Sequence, residues 1–418
     1  MREMKDGKTI RLKYVVEILG RIGFRGYTEQ DLVDENEGAI TLSPSNIQNM
    51  KMDYSKCSFL TWQKYYESPE IKIKDRDVLF VKTGSTYGKV GYVENLPMEA
   101  TINPQLVVFK NIKMNSKLLF YMLQMPLVKD QCELAVVGGT IPTMSQVKIG
   151  NIYIPSLPLN GQQRIAEFLD RACGKIDGLK ADIQAQIDTL EQYKRSVITE
   201  AVTHGLNPSA PMKDSGAGWM PLIPLHWKAD KLKFHLRQRG IKNQIDKQVL
   251  SLYREYGIVP KDSRDDNHNV TSEDVSDYRY VRVGDFVVNK MKAWQGSVAV
   301  SNYEGIVSPA YFVYEFSDDL INKRYFHYLM RNKTYATEFR RLSGGIREGQ
   351  WDLPSEALNN IIILLPPLDE QQEIADYLDN KCAEIEQIIA DKKSQIETLD
   401  GYKKSLIYEY VTGKKEVV

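Results

Sequence analysis

The segment GSTYGKV, residues 84–90, is the first place where this sequence could do chemistry, because two glycines and a lysine are the ingredients of a phosphate-cradling loop. Such a loop needs G-x-x-x-x-G-K-[ST] to wrap its amides around an anion. Here one residue too few separates Gly84 from Gly88, and Val90 follows Lys89 where a hydroxyl is required. INPQ (102–105) and VSPAY (307–311) lack the Asn/Asp-Pro-Pro-aromatic tetrad that positions an amino group for methylation, and there is no G-x-G-x-x-G dinucleotide loop. His204, His226, His235, His268 and His327 are scattered without metal-ligand spacing. Cys57, Cys132, Cys173 and Cys382 form no C-x-x-C pair, so neither a zinc site nor a disulfide framework is expected. Catalysis, metal binding and cofactor binding have no residues to stand on.

The bulk numbers bound what remains. The 418 residues suffice for two or three domains, and 42% hydrophobic with 26% charged residues is ordinary globular composition. The amino-terminal MREMKDGKTIRLKYVV has no signal-like apolar run, and no stretch approaches the roughly 20 apolar residues of a membrane span, so a cytoplasmic protein with no membrane partner is expected. A net charge of zero hides a division. Residues 1–157 carry 20 basic against 17 acidic side chains and residues 207–366 carry 22 against 19, a net +3 each. Residues 158–206 carry 6 against 7 and residues 367–418 carry 7 against 12, net −1 and −5.

Those boundaries follow a repeat. PLNGQQRIAEFLD (158–170) returns without a gap as PLDEQQEIADYLD (367–379), and about half of the roughly 46 aligned positions of the whole repeat are identical. Asn160 and Asp369 stand three residues before Gln163 and Gln372, the spacing of a capping box, so a helix is expected to start at each. In the first copy a 3.5-residue period runs through Ile165, Leu169, Ala172, Ile176, Leu179, Ile183, Gln186, Leu190, Tyr193 and Val197. In the second it runs through Ile374, Leu378, Lys381, Ile385, Ile388, Lys392, Gln395, Leu399, Tyr402 and Leu406. Neither helix, on the order of 60 Å long, could expose such a stripe to water, so the two are expected to pair. An antiparallel pair would hold Cys173 and Cys382 roughly 30 Å apart, whereas a parallel pair would put them in register.

The intervening segments repeat more faintly. DVLFVKTGSTYGKVGYV (77–93) lies over DFVVNKMKAWQGSVAVS (285–301), and INPQLVVFKN (102–111) over VSPAYFVYEF (307–316). VVGGTIPTMS (136–145) lies over LSGGIREGQW (342–351). The predicted fold is α+β: globular domains over 1–157 and 207–366, alternating with long helices over 158–206 and 367–418. The stretch THGLNPSAPMKDSGAGWMPLIP reads as a linker at the join.

A Pro-Leu-x-x-Gln-Gln-x-Ile-Ala helix start present twice, with GWMPLIPLHWKADKLKF (218–234) opening the second domain, resembles the specificity subunit of Type I restriction-modification systems. The resemblance covers essentially the whole chain. It implies two target recognition domains held apart by an antiparallel pair of long helices, each domain reading one half of a bipartite site on double-stranded DNA. It also implies two methyltransferase (modification) subunits docked on the helices, through residues such as Gln162, Gln163, Gln371 and Gln372, and ATP-dependent restriction subunits where the complex also cleaves. The chain itself would then be non-catalytic and hold no cofactor. The first domain departs from the pattern: it begins at KTIRLKYVV without the Trp-x-Pro-x-Ile-Pro-x-His-Trp lead-in, which suggests a trimmed start. A stand-alone DNA-binding regulator and a coiled-coil protein scaffold are the alternatives.

DNA contact needs Lys, Arg and hydroxyls for phosphates, and Arg, Lys, Asn or Gln for base edges. In the first domain Lys82, Thr83, Ser85, Thr86, Tyr87 and Lys89 offer this, with Thr140 and Thr143 beyond the glycine pair. In the second, Lys290, Lys292, Trp294 and Gln295 match by position, with Arg347, Gln350 and Trp351 in the late loop and Arg254, Lys261 and Arg264 on a polar loop. A net +3 per domain makes phosphate contacts alone weak and salt-sensitive, so full affinity is expected to need partner subunits.

Overall fold

The computed structural model describes residues 8–35, 37–48, 50–136, 141–254, 256–264, 271–345 and 351–417. It holds two repeated α+β globular domains separated by two long helices, Leu159–His204 and Leu368–Val411, which pack antiparallel. By contacts the chain divides into two compact units. One comprises residues 1–183 with 393–418 and the other residues 184–392, so each unit takes part of both long helices.

In the first unit the runs VLFV (Val78–Val81) and LVVFK (Leu106–Lys110) are β-branched and aromatic over consecutive positions, the pattern of strands covered on both faces. They form the middle of a four-stranded antiparallel sheet flanked by Glu17–Leu19 and Val90–Tyr92. Val78, Phe80, Val107 and Phe109 face a core shared with the short helix Ser116–Met122 and the long helices. Leu79, Val81, Leu106 and Val108 face a second core. That core is closed by Gly38–Leu42, Ser58–Thr61 and Ala100–Ile102, the last of these running parallel to the first. The second unit repeats the central sheet with Leu236–Arg239, Tyr311–Phe316, Phe286–Asn289 and Val298–Val300. Smaller pairs, Leu250–Tyr253 with Gly257–Pro260 and Arg279–Val281 with Gly305–Val307, cover its other face.

The helix starts depart from the expected capping boxes. Both helices begin two residues earlier than those caps imply, at Leu159 and Leu368, which places Asn160 and Asp369 inside the first turn. The first glutamine of each pair is buried and turns back on its own domain. Gln162 Oε1 accepts the Asn115 N–H at 2.9 Å while its amide donates to Leu157 O, also at 2.9 Å. Gln371 Oε1 accepts the Asn322 N–H at 2.8 Å while its amide donates to Leu320 O and Pro366 O. Asn115 and Asn322 are the N-caps of Ser116–Met122 and Lys323–Arg331. Their side-chain amides donate to Gln163 and Gln372, each at 2.6 Å. Gln162 and Gln371 therefore fasten each domain to its helix. Their assignment to partner docking is corrected, because a buried amide with both polar atoms engaged offers nothing to another chain. Gln163 and Gln372 remain exposed.

The seam is also corrected, at four of the ten positions read in each helix. Leu169, Ile176, Ile183 and Leu190 lie on the seam as expected, but the alternate positions are displaced by one: Cys173, Lys180, Ile187 and Lys194 take the places of Ala172, Leu179, Gln186 and Tyr193, with Gln186 still reaching the opposing helix by accepting from Lys392 Nζ. The second helix repeats the shift, with Cys382, Ile389, Ile396 and Lys403 in place of Lys381, Ile388, Gln395 and Tyr402. Two stripes at one period differ by a single residue, and the apolar one misled because lysines occupy the true seam. Lys403, 9% exposed, donates to both carboxylate oxygens of Asp177 at 2.7 and 2.9 Å. Lys194 pairs with Glu386 at the corresponding residues of the repeat, both partners shifted by the 209 residues that separate Gln162 from Gln371. Lys180 pairs with Asp400 in the first unit.

The stretch read as a linker is ordered. Met212–Ala217 and Met220–Pro224 form a hairpin, Trp219 lies edge-on to Tyr335 at 4.9 Å, and Trp227 is fully buried. Glu370 accepts from Trp227 Nε1 at 3.1 Å and holds His226 Nε2 at 2.7 Å. The residue corresponding to Glu370 in the first copy is Gly161, which has no side chain to make these bonds.

All four cysteines are free thiols. Cys173 packs in the core of the first unit and Cys382 is buried in the second; burial pushes the Cys173 thiol up to about 11 and raises that of Cys382. With little thiolate to react, mild oxidation with diamide should leave the pair unlinked, read by non-reducing electrophoresis and peptide mass mapping. Efficient Cys173–Cys382 crosslinking in the native protein would overturn this helix pairing.

Candidate DNA interface

At the end of the buried strand Val78–Val81 the chain leaves the sheet at Lys82, loops through Ser85 and Thr86, and returns at Val90. The loop is closed at its base by Gly88 N–H to Val81 O (2.8 Å) and Val81 N–H to Lys89 O (2.9 Å). Gly88 sits at φ 81°, a left-handed conformation that glycine adopts without strain. Two further segments converge on its first residues. Lys82 N–H donates to Gln105 O at 2.9 Å, and Met144 N–H donates to Lys82 O at 2.9 Å. Thr83 and Thr143 form an antiparallel bridge, with their hydroxyls 3.4 Å apart. The result is a platform of three segments, 82–89, 103–105 and 141–145, held by backbone bonds and presenting polar side chains. Ser85, Thr86 and Thr143 are exposed; Thr83, Tyr87 and Lys89 are half-buried. Burial holds the Lys82 ammonium below the usual lysine pKa.

The second unit builds the same platform. Asn289 N–H donates to Ser297 O (3.1 Å), Lys290 N–H to Ala310 O (3.1 Å) and Leu353 N–H to Lys290 O (3.0 Å). Gly296, at φ 84°, stands where Gly88 stands in the first. These bonds align Met144 with Leu353, so the late loops correspond three residues away from the expected alignment of their glycine pairs. Lys292 and Gln295 are exposed. Trp294 donates from Nε1 to Met291 O at 3.0 Å and lies edge-on to Trp351, their centroids 5.6 Å apart. The Arg340 guanidinium lies 5.8 Å over the Trp351 ring. Lys290 Nζ stands 3.2 Å from Asp352 Oδ2.

Arg254, Lys261 and Arg264 belong to a neighbouring hairpin. Arg254 sits at its turn, and the Arg254 carbonyl accepts from Arg331 at 2.6 Å. Lys261 is bonded to Thr271, and the Arg264 guanidinium lies 4.2 Å over the ring of Tyr256, which is 55% exposed. Tyr311 joins this hairpin to the platform: it pairs with Asn289 in the central sheet and packs on the core formed by Leu250, Leu252 and Ile258 of the hairpin. Thr140, Arg347 and Gln350 lie outside the described residues. The sequence reading missed Gln105, Asn103 and Asp352. Gln105 is exposed beside Lys82, with its Oε1 fixed by the Asn103 amide at 3.1 Å. Its signal was present, since INPQ aligns with VSPA at the platform's middle segment.

Other chemistry finds little support among the described residues. No group of three His, Cys, Asp or Glu is placed to hold a metal ion, and no helix is long and apolar enough to cross a membrane. His235 lies between Asp318 and Asp230 at 2.8 and 3.3 Å. Burial depresses His327 to about 4, which keeps it neutral beneath Arg331.

The chain is 27% identical over 375 residues to the specificity subunit of the Type I restriction enzyme MjaVIII of Methanocaldococcus jannaschii, covering 83% of this chain and 81% of that one. It is 21% identical to the EcoKI specificity subunit of Escherichia coli, covering 88% and 81%. The fold matches a chain from a structural study of type I R-M complex assembly with a TM-score of 0.67, at 16% identity over 98% of this chain and 99% of the other. It also matches the HsdS subunit of Thermoanaerobacter tengcongensis with a TM-score of 0.50, at 14% identity over 99% of both chains. The model of the Type I restriction modification DNA specificity domain matches residues 5–189 and again 241–398, once on each half of the repeat, and the chain belongs to that family of DNA specificity subunits.

Proposed function

We propose that the two platforms divide one bipartite site on double-stranded DNA between them, while the long helices carry two copies of a methyltransferase subunit. The observation that carries this reading is the platform built twice by the same backbone bonds at corresponding residues, with different side chains on it. The bonds present a surface, and the side chains decide what it reads. In the first domain Lys82, Lys89 and the hydroxyls of Thr83, Ser85, Thr86 and Thr143 supply phosphate and base contacts, joined by Gln105. In the second, Lys290, Lys292, Gln295 and the Trp294–Trp351 pair do so, with Arg254 and Arg264 alongside. The chain contributes no catalytic group and needs no cofactor of its own. Methyl transfer to adenine, and ATP-driven cleavage where present, belong to partner subunits in the cytoplasm.

Two equal partners are supported by what the corrected seam leaves outside. Leu179 and Tyr193 on the first helix are 53% and 49% exposed, and Ile388 and Tyr402 at the corresponding positions of the second are 37% and 57% exposed. Each unit therefore carries one exposed aliphatic residue and one exposed tyrosine from this set. A patch repeated once per unit fits two copies of one partner, and Tyr is a residue type enriched at such contacts.

Exchange of residues 1–157 for another recognition domain should change one half of the methylated sequence and leave the other intact, as mapped on host DNA. Coupled changes in both halves would refute independent reading. Tyr193→Glu or Tyr402→Glu should lower the stoichiometry from two methyltransferase subunits to one, and the double variant should bind none, as read by native mass spectrometry. Because the lowered pKa of Lys82 removes its charge earlier as pH rises, duplex affinity of the assembled complex should begin to fall at a less alkaline pH than in Lys82→Arg. Lys82→Ala should reduce the slope of log affinity against log salt by about one.

A further inference from the structure

We infer that Asp352, held by Lys290, is a base-specificity residue of the second recognition domain and accepts a hydrogen bond from the exocyclic amino group of a cytosine or an adenine. This rests on the platform being the DNA-facing surface.

The position is fixed by the repeat. Asp352 precedes Leu353, whose N–H bonds Lys290 O, and it bridges to Gly344 on the other side. Its counterpart is Thr143, which bridges Thr83. Both stand on the late segment of a platform whose neighbours are basic, hydroxylated or aromatic. A carboxylate there is out of place as a phosphate ligand, because it has only acceptors and carries the phosphate's own sign. What DNA can offer it is a base amino group: cytosine N4 or adenine N6 in the major groove.

The local geometry prepares it for that role. Lys290 approaches Oδ2 at 3.2 Å, which compensates the charge and fixes the carboxylate plane. Oδ1 is screened from solvent, so the 49% exposure of the side chain lies at its other atoms, on the side of Oδ2. Oδ2 has acceptor capacity beyond the one hydrogen bond from Lys290, and that remaining capacity is what a base amino group can use. Trp351, braced by Trp294 and Arg340, flanks it. The first domain has hydroxyls here, Thr83 and Thr143, each able to donate or accept. An acceptor-only group discriminates against the carbonyl edges of guanine and thymine in a way that a hydroxyl does not.

The test uses the full chain assembled with its methyltransferase subunits and a pool of random-sequence duplexes, from which bound DNA is selected and sequenced. The parent should require one amino-bearing base at one position of one half-site, and the selected base decides between cytosine and adenine. Asp352→Ala should weaken that discrimination about tenfold or more and leave the other half-site unchanged. Asp352→Asn, which keeps the shape and adds a donor, should admit guanine or thymine at the same position. If either variant melts as the parent does, binds more tightly and keeps the parent's base preferences, Asp352 only balances Lys290 and the inference is overturned. Should Asp352→Ala fail to fold, the near-isosteric Asn variant decides alone: unchanged selection rejects the role. A parent complex that selects no sequence would instead refute the reading of the platforms as a DNA interface, which is a separate result.

Discussion

A buried glutamine amide, used twice, is the contact on which the arrangement of this protein depends. Gln162 and Gln371 sit at the start of the long helices, and each joins three things: the strand exit that delivers the chain to the helix, the helix itself, and the N-cap of a short helix in the globular domain. Removing such an amide strands a buried N–H and at least one buried carbonyl, at about 1–3 kcal/mol for each unsatisfied group. A domain that reads DNA at a set distance from a neighbour has to be fixed in orientation on its helix, and these bonds provide that. The neighbouring contacts repeat as well. Tyr121 and Tyr328 donate to Asp170 and Asp379, and Lys117 and Arg324 pair with the same two aspartates.

The helix pair imposes a second constraint, in which lysine in the seam is informative. Lys403 with Asp177 and Lys194 with Glu386 are the same ion pair made once in each unit. Partly buried pairs of this kind add little net stability, because desolvation offsets much of their attraction. A slip of one helix along the other would leave the charges unmatched against apolar neighbours, which is costly. The pairs therefore act mainly on register. With the seam so arranged, Leu179, Tyr193, Ile388 and Tyr402 are left outside, where a partner subunit can cover them.

The two platforms combine a constant backbone with variable side chains. Strand ends at Lys82 and Lys290 are pinned by matching main-chain bonds, so residues on the loops can change without disturbing the sheet. The modest charge of each domain fits this division of labour. Electrostatic attraction alone would hold DNA weakly at physiological salt, which leaves discrimination to directed contacts and added affinity to the assembled complex.

The sequence alone determined the duplication, the two long helices and the family, because ungapped identity and a 3.5-residue period survive in one dimension. It also located the platform loops, since apolar strands ending in polar, glycine-bearing turns announce themselves. It could not distinguish between two stripes one residue apart, so Leu179 and Tyr193 were read as seam while Lys180 and Lys194 were passed over. Hydropathy favours the apolar stripe, but Asp400 and Glu386 on the opposing helix make the lysine stripe the buried one. It likewise read Gln162 and Gln371 as surface for a partner and 203–224 as linker, although Asn115, Asn322 and Tyr335, distant along the chain, supply contacts that hold them. Three-dimensional packing decided these points because a polar residue is buried only where another segment brings it a hydrogen-bond or charge partner, and that partner is set by the fold rather than by the residue's own neighbours in the chain.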